Sequence, residues 1–197
     1  MTRRVVIALL TPVPWAPPGV EPAAWRAALA EDVVDLFATL AQVEPAIAGT
    51  DADRDLAAAV RWPRMPVYAL PGATVGAALR AAAEDGYDQG AVVAADVPDL
   101  PGLLVAKLLR PLSTRAVSVA PALGGPGLLG VAARLPAPDW LPDLDLDAAT
   151  PLDVRRAAPG PALVAVTPGW RRLRGPQDLP GLDRETAVVT AGVLVPR

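Results

Sequence analysis

Cysteine, histidine and asparagine are missing from this sequence altogether. Lysine occurs once, as Lys107, and serine only as Ser113 and Ser118. These gaps exclude whole classes of chemistry within the chain: no thiolate nucleophile, no Ser-His-Asp triad, no Cys/His zinc site. Catalysis would have to use carboxylates, arginines, hydroxyls, backbone amides or a bound ion. Such an ion would be hard and oxygen-ligated, Mg²⁺ or Mn²⁺. Basic blocks are missing too. The net charge is −3, which argues against a nucleic-acid partner. No apolar run approaches the length of a membrane span, so no membrane partner is expected. The opening Met1-Thr2-Arg3-Arg4 leads straight into a strand-like run with no small-residue cleavage site. No signal peptide is therefore expected, and a cytoplasmic location is. The lack of cysteine fits that location.

What is present describes a folded α/β chain. Apolar residues make up 52% of the 197 and charged residues 20%, enough for a real core in one domain spanning residues 1–197. The central stretch is Ala91-Val92-Val93-Ala94-Ala95-Asp96, followed by Val97-Pro98-Asp99-Leu100-Pro101. A short apolar run bounded by turn residues reads as a strand buried on both faces, and such strands belong to parallel sheets covered by helices. Ligands of open α/β sheets sit beyond the carboxyl ends of the strands. Asp96 stands at that end.

Further strands are expected at Arg4–Leu10, Ala46–Gly49, Val67–Leu70, Ala116–Ala120, Leu128–Ala133 and Ala162–Thr167. Helices are expected from Pro22 to about Leu40, from the Thr50/Asp53 capping pair to Val60, from Thr74 to Asp85, over Gly102–Arg110, and from Thr150-Pro151 to Ala157. In the first helix Trp25, Leu29, Val33, Leu36, Phe37 and Leu40 form an apolar stripe, with Arg26, Glu31, Asp32 and Asp35 mostly facing away. Thr11–Glu21 is a proline-rich loop and 136–147 an irregular acidic one. A last piece covers Thr186–Val195. Strands alternating with helices predict an α/β fold with a mostly parallel sheet of about seven strands.

At this point the chain resembles a family. Val92–Leu100 (VVAADVPDL) with Pro121–Val131 (PALGGPGLLGV) is similar to the bacterial glycosyltransferase-like family known as radical-SAM/selenodomain-associated transferases. That family lies within the nucleotide-diphospho-sugar transferase superfamily. The resemblance implies a three-layer α/β/α, Rossmann-like (GT-A-like) domain that transfers a glycosyl or nucleotidyl group from a nucleotide or nucleotide sugar. Three motifs depart from the family's pattern. The loop after the first strand has no basic residue, the nearest being Arg26. Leu123 stands where an acid is expected before Gly124-Gly125. Arg172 and Arg174 fall where the family carries an Asp-x-Asp, just before the matching Gly175-Pro176-Gln177-Asp178-Leu179.

The superfamily uses a divalent ion to neutralise a diphosphate, and one carboxylate is a poor cage for it. Guanidinium groups can hold phosphate oxygens directly. The candidate site is therefore Asp96 as catalytic carboxylate, with Arg172, Arg174, Gly124, Gly125 and Trp15 as nucleotide contacts and no tight metal site. Each has a plainer alternative. Asp96 could bond a nearby loop, and Asp99 could cap the helix at Gly102. Arg171, Arg172 and Arg174 could be a solvated cluster. Gly124 and Gly125 could form only a turn, and Trp15 could pack on its own domain. Two functions follow: a metal-independent transferase, or a catalytically inactive relative serving as a binding or assembly subunit. The oligomeric state stays open, a homo-oligomer included.

Overall fold

The computed structural model describes residues 2–194; Val195, the end of the last expected piece, lies outside them. The chain runs β1 (Arg4–Leu9), α1 (Pro22–Thr39), β2 (Glu44–Gly49), α2 (Arg54–Val60), β3 (Val67–Ala69), α3 (Val75–Glu84), β4 (Gln89–Ala94), α4 (Gly102–Leu109), β5 (Val117–Leu123), β6 (Leu128–Arg134), α5 (Pro151–Ala157), β7 (Val164–Val166), β8 (Trp170–Arg171) and α6 (Val188–Val193). One sheet carries the strands in the order β3-β2-β1-β4-β6-β5-β7, with β8 paired to β5. β1 pairs in parallel with β2 and β4, and β2 with β3. β6 alone runs antiparallel, against both β4 and β5.

Alternation along β1 shows why these residues form a central strand. Val5, Ile7 and Leu9 enter one core with Leu79, Val92 and Val131. Val6, Ala8 and Leu10 enter the other with Phe37, Val93 and Leu108. Both faces are buried, so the run is apolar throughout. α1, α2 and α4 supply the second core and α3 and α5 the first, giving the three layers expected. Among the described residues no helix is long and apolar enough to cross a membrane.

The chain builds β1, β2 and β3 outward, then returns to place β4 on the other side of β1. The order thus reverses between β1 and β4. Their carboxyl ends lead into Thr11 and Asp96, and a crevice at such a reversal is where α/β folds take their ligands.

Two features differ from the sequence reading. Asp32 does not face away from the core. It is 6% exposed and accepts hydrogen bonds from the amides of Val189 (3.0 Å) and Thr190 (2.8 Å). A carboxylate there satisfies free N–H groups at the start of α6, so an acid on α1 anchors the C-terminal helix. The second difference is β8, a two-residue strand beyond the last of the expected strands. It pairs Ala122 with Trp170 and Leu123 with Arg171, which carries the following arginines to the mouth of the sheet.

Candidate functional site

Asp96 lies two residues past β4 and is 1% exposed. Its carboxylate meets the guanidinium of Arg172 as a two-pronged fork: Nε to Oδ1 at 2.7 Å and Nη2 to Oδ2 at 2.9 Å. The backbone pins the same contact, since the amide of Leu173 donates to the Asp96 carbonyl at 2.7 Å. Arg172 Nη1 also donates to the carbonyls of Leu146 (3.1 Å) and Leu128 (3.4 Å), and Nη2 reaches Thr11 Oγ1 at 3.5 Å. Arg172 therefore spans the crevice between the ends of β1 and β4. Burial alone would push its pKa down. The carboxylates of Asp96 and Asp147 outweigh that and hold it above the ordinary arginine value. The guanidinium is a permanent internal cation.

Asp147 continues the network outward. Its Oδ1 lies 2.7 Å from Arg172 Nη2 and 2.6 Å from Arg174 Nη1, and its Oδ2 accepts from Arg174 Nη2 at 2.8 Å. Arg174 Nε is 3.6 Å from Asp96 Oδ2. Two carboxylates and two guanidiniums thus alternate from the buried crevice to the surface. The inner pair is almost fully buried, while the side chains of Arg174 and Asp147 are 24% and 29% exposed. Asp178 fixes the segment from below, its Oδ2 accepting from the amides of Arg174 and Gly175, each at 2.9 Å.

The outer pair opens into a cleft of about 380 Å³. It is lined by Arg172, Arg174, Asp147 and Gln177, by Leu123 at the end of β5 with Gly124 and Gly125 of the following turn, and by Pro14. A side-chain carbon added at Gly124 or Gly125 would meet nothing within 4 Å, so both present bare backbone to open space. Gly124 has φ +79°, which a tight turn favours in glycine. The turn and the open approach coexist here.

The remaining candidates lie elsewhere. Trp15 stacks edge-on against buried Trp25, with centroids 6.0 Å apart at 87°, in a small apolar cluster with Leu29 and Leu173. It does not line the cleft. Arg26, the basic residue nearest the first loop, is committed to structure: its Nε donates to the Thr11 carbonyl (3.1 Å) and its Nη2 to Asp53 (2.6 Å). Asp99 does not cap α4, whose N-cap residue is Pro101 with no side-chain hydrogen bond. Asp99 accepts instead from Trp170 Nε1 (3.0 Å), the Asp183 amide (2.9 Å) and Arg171. The two acids of Asp96-Val97-Pro98-Asp99 therefore each hold one of the neighbouring arginines 172 and 171, facing inward. Asp147 and Thr11 were not singled out by sequence reasoning. Asp147 had no signal beyond its place in an acidic loop.

The donor set does not fit a divalent cation. Both Asp96 oxygens are taken by Arg172, and Asp147 lies against two guanidiniums. Among the described residues no group of three or more acids converges to hold one.

No protein-family model matches the chain, and no match is found among curated proteins. Solved structures do match. A protein from Desulfovibrio desulfuricans G20 described as a nucleotide-diphospho-sugar transferase superposes with a TM-score of 0.65 at 21% identity, over 98% of this chain and 95% of that one. The 4-diphosphocytidyl-2C-methyl-D-erythritol synthase of Anaerococcus prevotii gives 0.61 at 9% identity, over 98% and 96%. Glucosyl-3-phosphoglycerate synthase from Mycobacterium tuberculosis, whose structure holds Mn²⁺, UDP and phosphoglyceric acid, gives 0.55 at 17%, over 100% and 80%. At these identities the likeness establishes the fold: a GT-A-like α/β/α domain of the kind found in nucleotide-diphospho-sugar transferases.

Proposed function

We propose that this chain is a divergent nucleotide-diphospho-sugar transferase-like protein that binds a nucleotide or nucleotide sugar in the 380 Å³ cleft without a divalent ion. Where it catalyses, it transfers a glycosyl or nucleotidyl group. The observation that carries this reading is the buried Asp96–Arg172 fork at the β1/β4 crevice. The fork fixes a permanently charged guanidinium, already paired with Asp96, at the crevice; the M. tuberculosis synthase of the same fold is seen with Mn²⁺ and UDP. Arg174 carries a second guanidinium to the cleft surface, and the bare backbone at Gly124-Gly125 lets a ligand approach closely. Asp96 contributes by holding Arg172 in place. The resemblance of Val92–Leu100 and Pro121–Val131 to the radical-SAM/selenodomain-associated transferases supports the same reading.

A second reading is favoured by one observation. Each cleft guanidinium already faces a carboxylate, and Asp96 has no free oxygen to act as a base. The chain would then be a non-catalytic binding or assembly subunit.

A thermal-shift screen of nucleotides and nucleotide sugars separates the two. Each compound is run once with a chelator and once with Mg²⁺ or Mn²⁺. A ligand at a hundred times its Kd adds about 2.7 kcal/mol, a rise in Tm of roughly 5–10 °C for a chain of this size. The expected result is at least one nucleotide giving the same shift with and without metal. Shifts seen only with metal would overturn the metal-free reading, and no shift with any compound would overturn the nucleotide reading and favour the second.

A further inference from the structure

We infer that Arg172 and Arg174 form an anion subsite for a phosphate or diphosphate group, and that the carboxylate of Asp147 occupies it as an internal competitor. The inference rests on the nucleotide reading of the cleft and adds to it the identity of the group any ligand must displace.

Three observations carry it. First, Asp147 sits where a phosphate would. Its Oδ1 bridges the two guanidiniums at 2.7 and 2.6 Å while Oδ2 takes Arg174 Nη2 at 2.8 Å. Two guanidiniums thus close on one carboxylate, a cluster of the kind arginines offer to oxyanions. Second, the occupant is imperfectly seated. Oδ1 is buried, yet neither of its close contacts has hydrogen-bond alignment. A tetrahedral group, with oxygens in more directions, can meet N–H vectors that a planar carboxylate misses. Third, the occupant can leave. Asp147 is 29% exposed and borders the open cleft, whereas Asp96, the other partner of Arg172, is buried and held by both oxygens. Displacing Asp147 hydrates one carboxylate and leaves the inner fork intact.

The arrangement has a functional consequence. With Asp147 in place, the charge offered to an anion is largely cancelled, so weak anions are turned away. A ligand must make enough further contacts, against Gly124, Gly125 and Leu123, to drive the exchange.

Calorimetric titration of inorganic pyrophosphate into chelator-treated protein tests this. The comparison is between wild type, Asp147→Asn and the double variant Asp147→Asn/Arg174→Ala. Removing the competitor is expected to tighten pyrophosphate binding roughly tenfold to a hundredfold, and the double variant should lose that gain. Asp147→Ser repeats the comparison if the asparagine variant melts below the assay temperature. Equal or weaker binding in both neutral variants, or no binding by any of the proteins, overturns the inference. A gain that survives loss of Arg174 overturns it as well. A parallel titration with UDP and CTP keeps the two claims apart. If Asp147→Asn gains pyrophosphate but no form binds a nucleotide, the subsite stands and the nucleotide reading falls. If wild type binds a nucleotide that Asp147→Asn binds no better, the nucleotide reading stands and the competitor role falls.

Discussion

Replacing Arg172 by alanine is expected to cost about 3–5 kcal/mol of folding stability, because it leaves a carboxylate buried without its partner. Asp96 is 1% exposed and has both oxygens on that guanidinium. The carbonyls of Leu128 and Leu146 lose a donor in the same step. Against the 5–15 kcal/mol typical of a domain, a loss of this size threatens folding at ordinary temperature. Urea denaturation measures it. The companion double variant, Asp96→Leu/Arg172→Met, removes both charges and is expected to recover most of the loss, since buried ion pairs are often matched in stability by apolar residues of similar volume. A cost below about 1 kcal/mol for Arg172→Ala, the range of exposed pairs, would mean that the fork does not hold the crevice together.

The second large effect is expected at Gly127. Its φ is +93°, and a side-chain carbon there would stand 2.4 Å from the Leu146 carbonyl oxygen and 3.0 Å from that of Asp147. Alanine is strained by the backbone angle and must also push the 146–147 main chain away. The two costs together come to about 2–5 kcal/mol. That main chain carries the Leu146 carbonyl, which accepts from both Leu128 N (2.8 Å) and Arg172 Nη1 (3.1 Å), so the substitution also loosens the ion-pair network. Gly125→Ala is the control. Nothing lies within 4 Å of the added carbon, and its effect should stay within about 0.5 kcal/mol. Thermal or urea melts of the two variants side by side check the contrast. Equal effects would show that the hairpin does not brace the 146–147 segment.

These positions also show what a sequence discloses and what it conceals. β1 and β4 were legible because burial on both faces leaves an uninterrupted apolar run. The reversal of β6 was not. An antiparallel strand inside an otherwise parallel sheet is buried in the same way and reads identically. Asp96 could be placed at a strand end from the turn signals that follow it. Its partner lies 76 residues away, and no local pattern announces a contact at that distance. The exchange of acids for Arg172 and Arg174 was visible; that Arg172 is buried and both are paired with acids was not, because a charged run looks the same whether solvated or neutralised from inside. Asp147 is the clearest case. It is one acid among several in an irregular loop, and only the position of Leu146 against Leu128 brings it to the guanidiniums. Asp32 fooled the helical periodicity for a related reason: a buried carboxylate is tolerable there because the free amides of α6 receive it.

The fold is shared with solved structures of a nucleotide-diphospho-sugar transferase and two synthases, and the proposed metal-free site turns on one feature. Where a divalent ion would need free carboxylate oxygens, this chain has a guanidinium between Asp96 and Asp147. Titrating the wild-type protein with Mn²⁺, followed by the loss of the free-ion signal in electron paramagnetic resonance, tests that claim most directly. The account predicts that the protein leaves the free-ion signal undiminished, with no Mn²⁺ bound at micromolar concentration. A micromolar site that disappears in Asp96→Ala would contradict it.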